Sequence, residues 1–217
     1  MAKIFGDLYD FVVDFRLFIR IILLRGKIMQ DIFDFNKTLA VTAYLLNRTG
    51  GSLPCAKILT LLYLAERDFL LERGYSLTGD ALYVCDEGFG LQITHSLLMG
   101  KDSQSTTWQL YIQTDATSPE KTVTVVNSPD MGYLSTANEK ILDKILNRFN
   151  EFSSDNSFVE YLHNLNEWNA FYKNGTTTEI TADELFSVNN QTDNIPFYRE
   201  NVQVKNELNC LVNACGN

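Results

Sequence analysis

The chain has 217 residues and a mass of 24.7 kDa, a size at which folding buries about 70% of the unfolded surface, so a core forms without disulfides or metal as staples. Eighteen Lys and Arg against 27 Asp and Glu leave a net charge of −9. That balance argues against generic nucleic-acid binding, which needs a basic footprint to neutralise phosphates, and it suits a protein partner with a basic surface.

In chain order, residues 4–24 are the most apolar stretch. Asp7, Asp10 and Asp14 are incompatible with the positive leading region of a signal peptide. Asp14, Arg16 and Arg20 interrupt the roughly 20 apolar residues that a membrane span needs. Ile4, Leu8, Phe11, Phe15, Phe18, Ile19 and Ile22 recur at helical intervals, which predicts an amphipathic N-terminal helix over 1–28, docked on the body or on a partner. Two other readings stay open. One is binding at a membrane interface. The other is translation that starts at Met29, because Arg25-Gly26-Lys27 can be encoded by a purine-rich stretch like a bacterial ribosome-binding site. Five basic residues against three Asp give 1–28 a net +2, so the remainder carries −11.

The body reads mainly as helices. Asp31 to Arg48 carries one apolar stripe of Ile32, Phe35, Leu39, Ala43 and Leu46, ended by Gly50-Gly51. Ser52 is a candidate N-cap and Pro54 suits a first turn. Ala56 to Arg73 is the strongest helix. Ile58, Leu61, Leu62, Ala65 and Phe69 line one face, and Leu59, Tyr63, Leu70 and Leu71 widen it, so it is expected to be central and covered on several sides. Gly74 closes it. Tyr75 to Cys85 reads as extended or turning around Thr78-Gly79-Asp80, and Phe89 to Met99 as a short helix.

Thr106 to Thr114 and Lys121 to Asn127 are rich in β-formers, and residues 115–120 join them into a predicted hairpin. Such a hairpin needs a neighbour to be stable. Thr136-x-x-Glu139 reads as a capping box opening a helix to Phe149, and Phe158 to Leu165 continues in helix. Trp168 to Tyr172 is an aromatic cluster of the kind that usually belongs to a core. Thr181-x-x-Glu184 reads as a second capping box, and Pro196 opens a last helix to about Ala214. The predicted fold class is α+β, a mainly helical bundle with one β-hairpin packed beside it. The expected domain spans residues 29–190, followed by a helical tail over 191–217.

The chemistry-bearing residues are sparse. Cys55, Cys85, Cys210 and Cys215 form no C-x-x-C pair and read as reduced thiols of a cytoplasmic protein. His95 and His163 are the only histidines, and they lack zinc-ligand spacing. Gly88-Phe89-Gly90 is half a dinucleotide fingerprint, and the P-loop, G-x-S-x-G and H-E-x-x-H motifs are absent. No catalytic residue, metal or cofactor is assigned, and a non-enzymatic protein is expected.

One stretch resembles a known family. Leu61-Leu62-Tyr63-Leu64-Ala65-Glu66-Arg67, then Gly74, then Leu77-Thr78-Gly79-Asp80, then Glu87-Gly88 is similar to the Panacea domain of SocA-like antitoxins. The resemblance covers roughly residues 36–185 and is most specific in its central 30 residues. The family's H-G-P-V reads Glu87-Gly88-Phe89-Gly90 here, without the His and the Pro, so a role carried by that His does not transfer. What the resemblance implies is a protein that binds and neutralises a toxin encoded beside it. Two alternatives are a phage or prophage factor that inhibits a host defence protein, and a small-ligand-binding protein or enzyme using the Tyr63/Asp80 region. The expected partner is a protein, with neither nucleic acid nor membrane; the oligomeric state is not legible.

The residues singled out for partner binding are Tyr63, Glu66, Arg67, Thr78 and Asp80. Tyr and Arg dominate interface energetics, and Tyr63, Arg67 and Asp80 are expected to meet where the long helix joins the extended piece. Capping and packing explain the same residue types without any partner.

Overall fold

In the computed structural model, which describes residues 31–215, the first helix is α1 (Phe35–Arg48). The helix expected over 1–28 and the start at Met29 lie outside the described residues. Asp34 caps α1, its carboxylate accepting from Lys37 N at 3.0 Å. The chain then pairs a short strand β1 (Ser52–Pro54) before entering α2 (Cys55–Arg73), whose closing residue Gly74 adopts φ 72°. That left-handed conformation suits glycine because it has no Cβ to clash.

Ser52 is therefore a strand residue, opposite Thr124, and not the expected N-cap. α2 starts without a side-chain cap, and the Cys55 N–H donates instead to Lys121 O at 3.1 Å. A carbonyl from across the sheet does the work that a capping hydroxyl would have done.

The next segment holds a second sheet that the sequence reading did not count. β2 (Leu82–Cys85) and β3 (Gly88–Leu91) form a tight hairpin, and the short helix α3 (Gln92–Leu98) follows directly. The helix expected from Phe89 thus begins at Gln92. Pairing with β2 makes this segment extended, and Gly90 is what lets the two strands approach. Tyr83 lies opposite Gly90 in the ladder, and a Cβ on Gly90 would sit 2.5 Å from the Tyr83 hydroxyl.

Residues Ser105–Trp108 form a helical turn, α4, and not the first half of a strand. Trp108 is fully buried and meets Phe35 edge to face at 5.9 Å. The burial of one large indole overrides the local alternation of residues 106–112. The predicted hairpin is present as β4 (Ile112–Asp115) and β5 (Thr122–Val125), and β1 pairs on its far side to give the order β1-β5-β4. That third strand is the neighbour the hairpin required.

α5 (Thr136–Glu151) opens at Ser135, not Thr136. The Ser135 hydroxyl accepts from Asn138 N at 3.2 Å, and Asn138 Oδ1 accepts from Ser135 N at 3.0 Å. The box is real but sits one residue earlier, with an amide in place of the carboxylate. α6 (Asp155–His163) and α7 (Asn166–Phe171) lead to β6 (Thr178–Ile180), which pairs with β2 and completes the order β3-β2-β6. α8 (Ala182–Val188) starts with the Thr181/Glu184 capping box as expected. α9 (Ile195–Cys215) is the last helix, and its Tyr198 and Val202 are buried on the body.

α2 is the central element. Ile58, Leu61, Tyr63 and Ala65 are inaccessible, with Leu62 and Phe69 nearly so, and the helix packs against α1, α5 and β3. The described part of the chain is an α+β fold dominated by helix, with two small antiparallel sheets.

Candidate functional site

The residues singled out from the sequence lie on α2 and on the loop that follows Gly74. The structure places them inside the molecule and divides them into two clusters. The first gathers around Glu66. Its buried carboxylate accepts from Leu77 N at 2.9 Å, from Thr78 N at 2.8 Å, from Thr78 Oγ1 at 2.7 Å and from the Ser76 hydroxyl. Four donors thus bind one carboxylate, and the 76–78 loop is pinned to the helix. Burial pushes the Glu66 carboxyl above its ordinary range, and the hydrogen bonds from Ser76, Thr78 and Leu77 oppose that rise.

Asp80 belongs to the same cluster through Thr78, whose hydroxyl accepts from Asp80 N at 3.2 Å. Its carboxylate serves a different helix. It accepts from Ile93 N and Thr94 N, both at 2.8 Å, and from Thr94 Oγ1 at 2.6 Å. Those amides are among the orphan donors at the start of α3, which has no capping side chain of its own. Burial raises the Asp80 carboxyl as well, against the same kind of opposing bonds. Asp80 therefore does not meet Arg67, and the expected three-residue shelf is split.

The second cluster unites Tyr63 and Arg67 with a residue the sequence reading passed over, Glu167 on α7. Arg67 Nε donates to Glu167 Oε1, and Arg67 Nη2 donates to Asn189 Oδ1 at 3.1 Å. The Tyr63 hydroxyl donates to Glu167 Oε1 at 3.2 Å. Arg67 Nη1 also meets Asp68 at 3.0 Å, and Asp68 in turn pairs with Arg148 of α5 at 3.2 Å. Burial alone would lower the Arg67 guanidinium, but its bonds and charge contact with Glu167 hold it above its ordinary value. The Tyr63 hydroxyl is raised by burial and by the Glu167 charge. Glu167 carried one sequence signal, an acidic residue beside Trp168 in an aromatic run; nothing in one sequence tied it to α2.

The outer side of this cluster is aromatic. Tyr63 stacks on Phe89 at 4.3 Å, and Phe89 meets the edge of Trp168 at 5.6 Å. Trp168 is sandwiched between His163 at 4.0 Å and Tyr172 at 4.2 Å. His163 is exposed, and Trp168 and Tyr172 are half-buried. The run from Trp168 to Tyr172, expected in the core, is instead a ladder that climbs from the core to the surface. The Tyr172 hydroxyl donates to Asp86 at 3.0 Å, which fixes the ladder to the β2–β3 turn.

Among the described residues, no group of three or more His, Cys, Asp or Glu side chains is placed to hold a metal ion, and no helix is long and apolar enough to cross a membrane. The buried clusters have the character of scaffold, with each carboxylate met by several donors. Of these groups, the aromatic ladder is the one that reaches the surface.

A family model described as antitoxin SocA-like, Panacea domain, matches residues 58–169, just over half of the chain. Both Arg67 and Glu167 fall inside that span, as do Glu66, Thr78 and Asp80. No curated protein and no solved structure matches the chain.

Proposed function

The chain belongs to the SocA-like antitoxin family of the Panacea domain, and from that premise we propose that it neutralises a protein toxin by binding it directly, without catalysis. The observation that carries the reading is the His163–Trp168–Tyr172 ladder. It is exposed at its outer end, and it is anchored from beneath by the Tyr63–Arg67–Glu167 cluster within the family span. Tyr and Trp side chains held rigid at a surface are the usual anchors of a protein interface.

In this proposal the five residues first singled out act through position. Glu66, Thr78 and Asp80 set the loop and the start of α3. Tyr63 and Arg67 set α7 and hence the ladder. Asp86 and Glu87 sit exposed at the adjoining turn, and residues 29–217 carry −11. The partner surface that complements them is basic with an apolar pocket for the aromatic rings. Binding of this kind blocks the toxin's working surface.

The test uses the full chain as bait in its native host, beside Trp168→Ala and Tyr172→Ala versions. The expected result is one stoichiometric protein retained by the unaltered chain and weakened about thirtyfold or more by Trp168→Ala, the range of an interface hot spot. Expressed alone, that protein arrests growth, and coexpression with this chain restores it. A captured protein that leaves growth untouched overturns the antitoxin reading. A toxin bound equally well by both variants overturns the placement on the ladder.

A further inference from the structure

The last helix carries an apolar stripe that the other described residues leave largely exposed; Phe197, whose ring lies against Gly74, touches the body. Phe197 is 52% exposed, Val204 48%, Leu208 57% and Leu211 61%. They recur at intervals of seven, four and three, and Asn201 fills the one gap. That is the average spacing of 3.5 residues that defines a coiled-coil seam. The α9 side chains that are buried, Tyr198 and Val202, lie roughly a third of a turn away around the helix. Residues 207–212 are exposed without exception, and a helical end of that length with no packed face is marginal in water.

We infer that this stripe is a self-association surface, through which two copies of the chain pair their α9 helices side by side in parallel. Charge selects a second copy and its direction. Glu200 and Lys205 flank the stripe on opposite sides, five residues apart, which is the spacing that joins one helix to the other across a parallel seam. Glu200 of each copy then meets Lys205 of the other, twice per dimer. An antiparallel pair would set Glu200 against glutamate. Glu200 is exposed and makes no ion pair among the described residues. Lys205 already donates to Asp31 Oδ1 at 2.7 Å and to Ile32 O at 3.2 Å, but its side chain is 44% exposed and the third donor of the ammonium is left to share. Asn201 supplies the single polar seam residue that favours two strands in one register.

The experiment is sedimentation equilibrium of the full chain over a wide concentration range. The expected mass rises from 24.7 kDa towards twice that value as concentration increases. Leu208→Glu alters a residue already exposed in the single chain, so the fold is kept, which circular dichroism checks, and the dimer weakens about a hundredfold or more. Glu200→Lys and Lys205→Glu each weaken it about tenfold, and an equimolar mixture of the two recovers it, because the swapped charges complement one another only between copies. A chain that stays monomeric at every concentration overturns the inference, as does a dimer that Leu208→Glu leaves intact. A dimer broken by Leu208→Glu but not recovered in the charge-swapped mixture overturns the parallel arrangement.

Discussion

Arg67 and Glu167 stand one hundred residues apart in sequence and are joined as a buried ion pair between α2 and α7. The Glu167 side chain is wholly buried and that of Arg67 is 12% exposed. A pair so enclosed is a poor source of net stability compared with apolar packing, but removing one member strands the other in a dry site. Its clearer consequence is geometric. The pair sets where α7 lies on α2, and α7 carries Trp168.

Arg67→Ala is expected to destabilise the chain by about 3–5 kcal/mol, because it leaves a buried carboxylate whose remaining partners are the Tyr63 hydroxyl and the Asn189 amide. Arg67→Lys recovers only part of that loss, since an ammonium lacks the planar fork that reaches Glu167, Asp68 and Asn189 together. Urea unfolding of the three proteins measures the differences. An Arg67→Ala variant within about 1 kcal/mol of the parent would show that the pair matters little.

Gly79 is expected to be the least replaceable glycine of the motif loop. Its φ is 77°, and a Cβ there would stand 2.1 Å from Ile32 O, a backbone atom that cannot swing aside. Asp34 N donates to Thr78 O at 2.8 Å, so the 32–34 segment is fastened against this loop. Gly79→Ala should cost about 3 kcal/mol or more. Gly175→Ala, at φ 72° with open space around it, should cost about 1 kcal/mol. Thermal unfolding compares the two, and equal losses would remove steric approach as the cause.

The thiols are expected to react in order of access and acidity. Cys210 is exposed. Burial pushes the Cys85 thiol up to about 11, with a further rise from its bond to Glu87. Burial also pushes the enclosed Cys55 thiol up to about 11. The thiolate is the reactive form. Among these three thiols, alkylation at about pH 8, followed by peptide mass spectrometry, should therefore label Cys210 first, Cys85 slowly, and Cys55 only on unfolding. Early labelling of Cys55 would contradict its enclosure.

His95 makes stability depend on pH in a stated direction. Half-burial lowers its pKa, Lys101 and Lys121 lower it further, and Glu87 acts the other way. The folded state thus holds this proton less tightly than the unfolded state, whose histidine titrates at the ordinary 6.5. The associated stability is whole above that value and diminishes as pH falls below it, until the lowered folded pKa is passed. Between about pH 7 and 5, His95→Gln should lose less stability than the parent. A steeper loss in the variant would reverse the assigned direction.

The sequence by itself determined most of the helices and the role of α2. Its apolar residues cover nearly the whole circumference, and only a helix enclosed on several sides can bury such a surface. The resemblance carried by Leu61–Arg67 and Leu77–Asp80 also stood in the sequence, and the family match confirms it. Local chemistry was enough for the Thr181 capping box, where two residues three positions apart, Thr181 and Glu184, make the whole interaction.

The tertiary structure decided everything that depends on distant partners. Ser52 left its expected cap for a strand because Thr124 offered ladder bonds. The segment after Gly88 became a strand because Tyr83 and Val84 lay ready to pair with it. Asp80 turned to the amides of α3 rather than to Arg67, because a short helix without its own cap leaves donors that a nearby carboxylate satisfies. Arg67 reaches Glu167 because the fold brings α7 back to α2. A residue type records what a side chain can bond, and the fold alone sets which bond lies within reach.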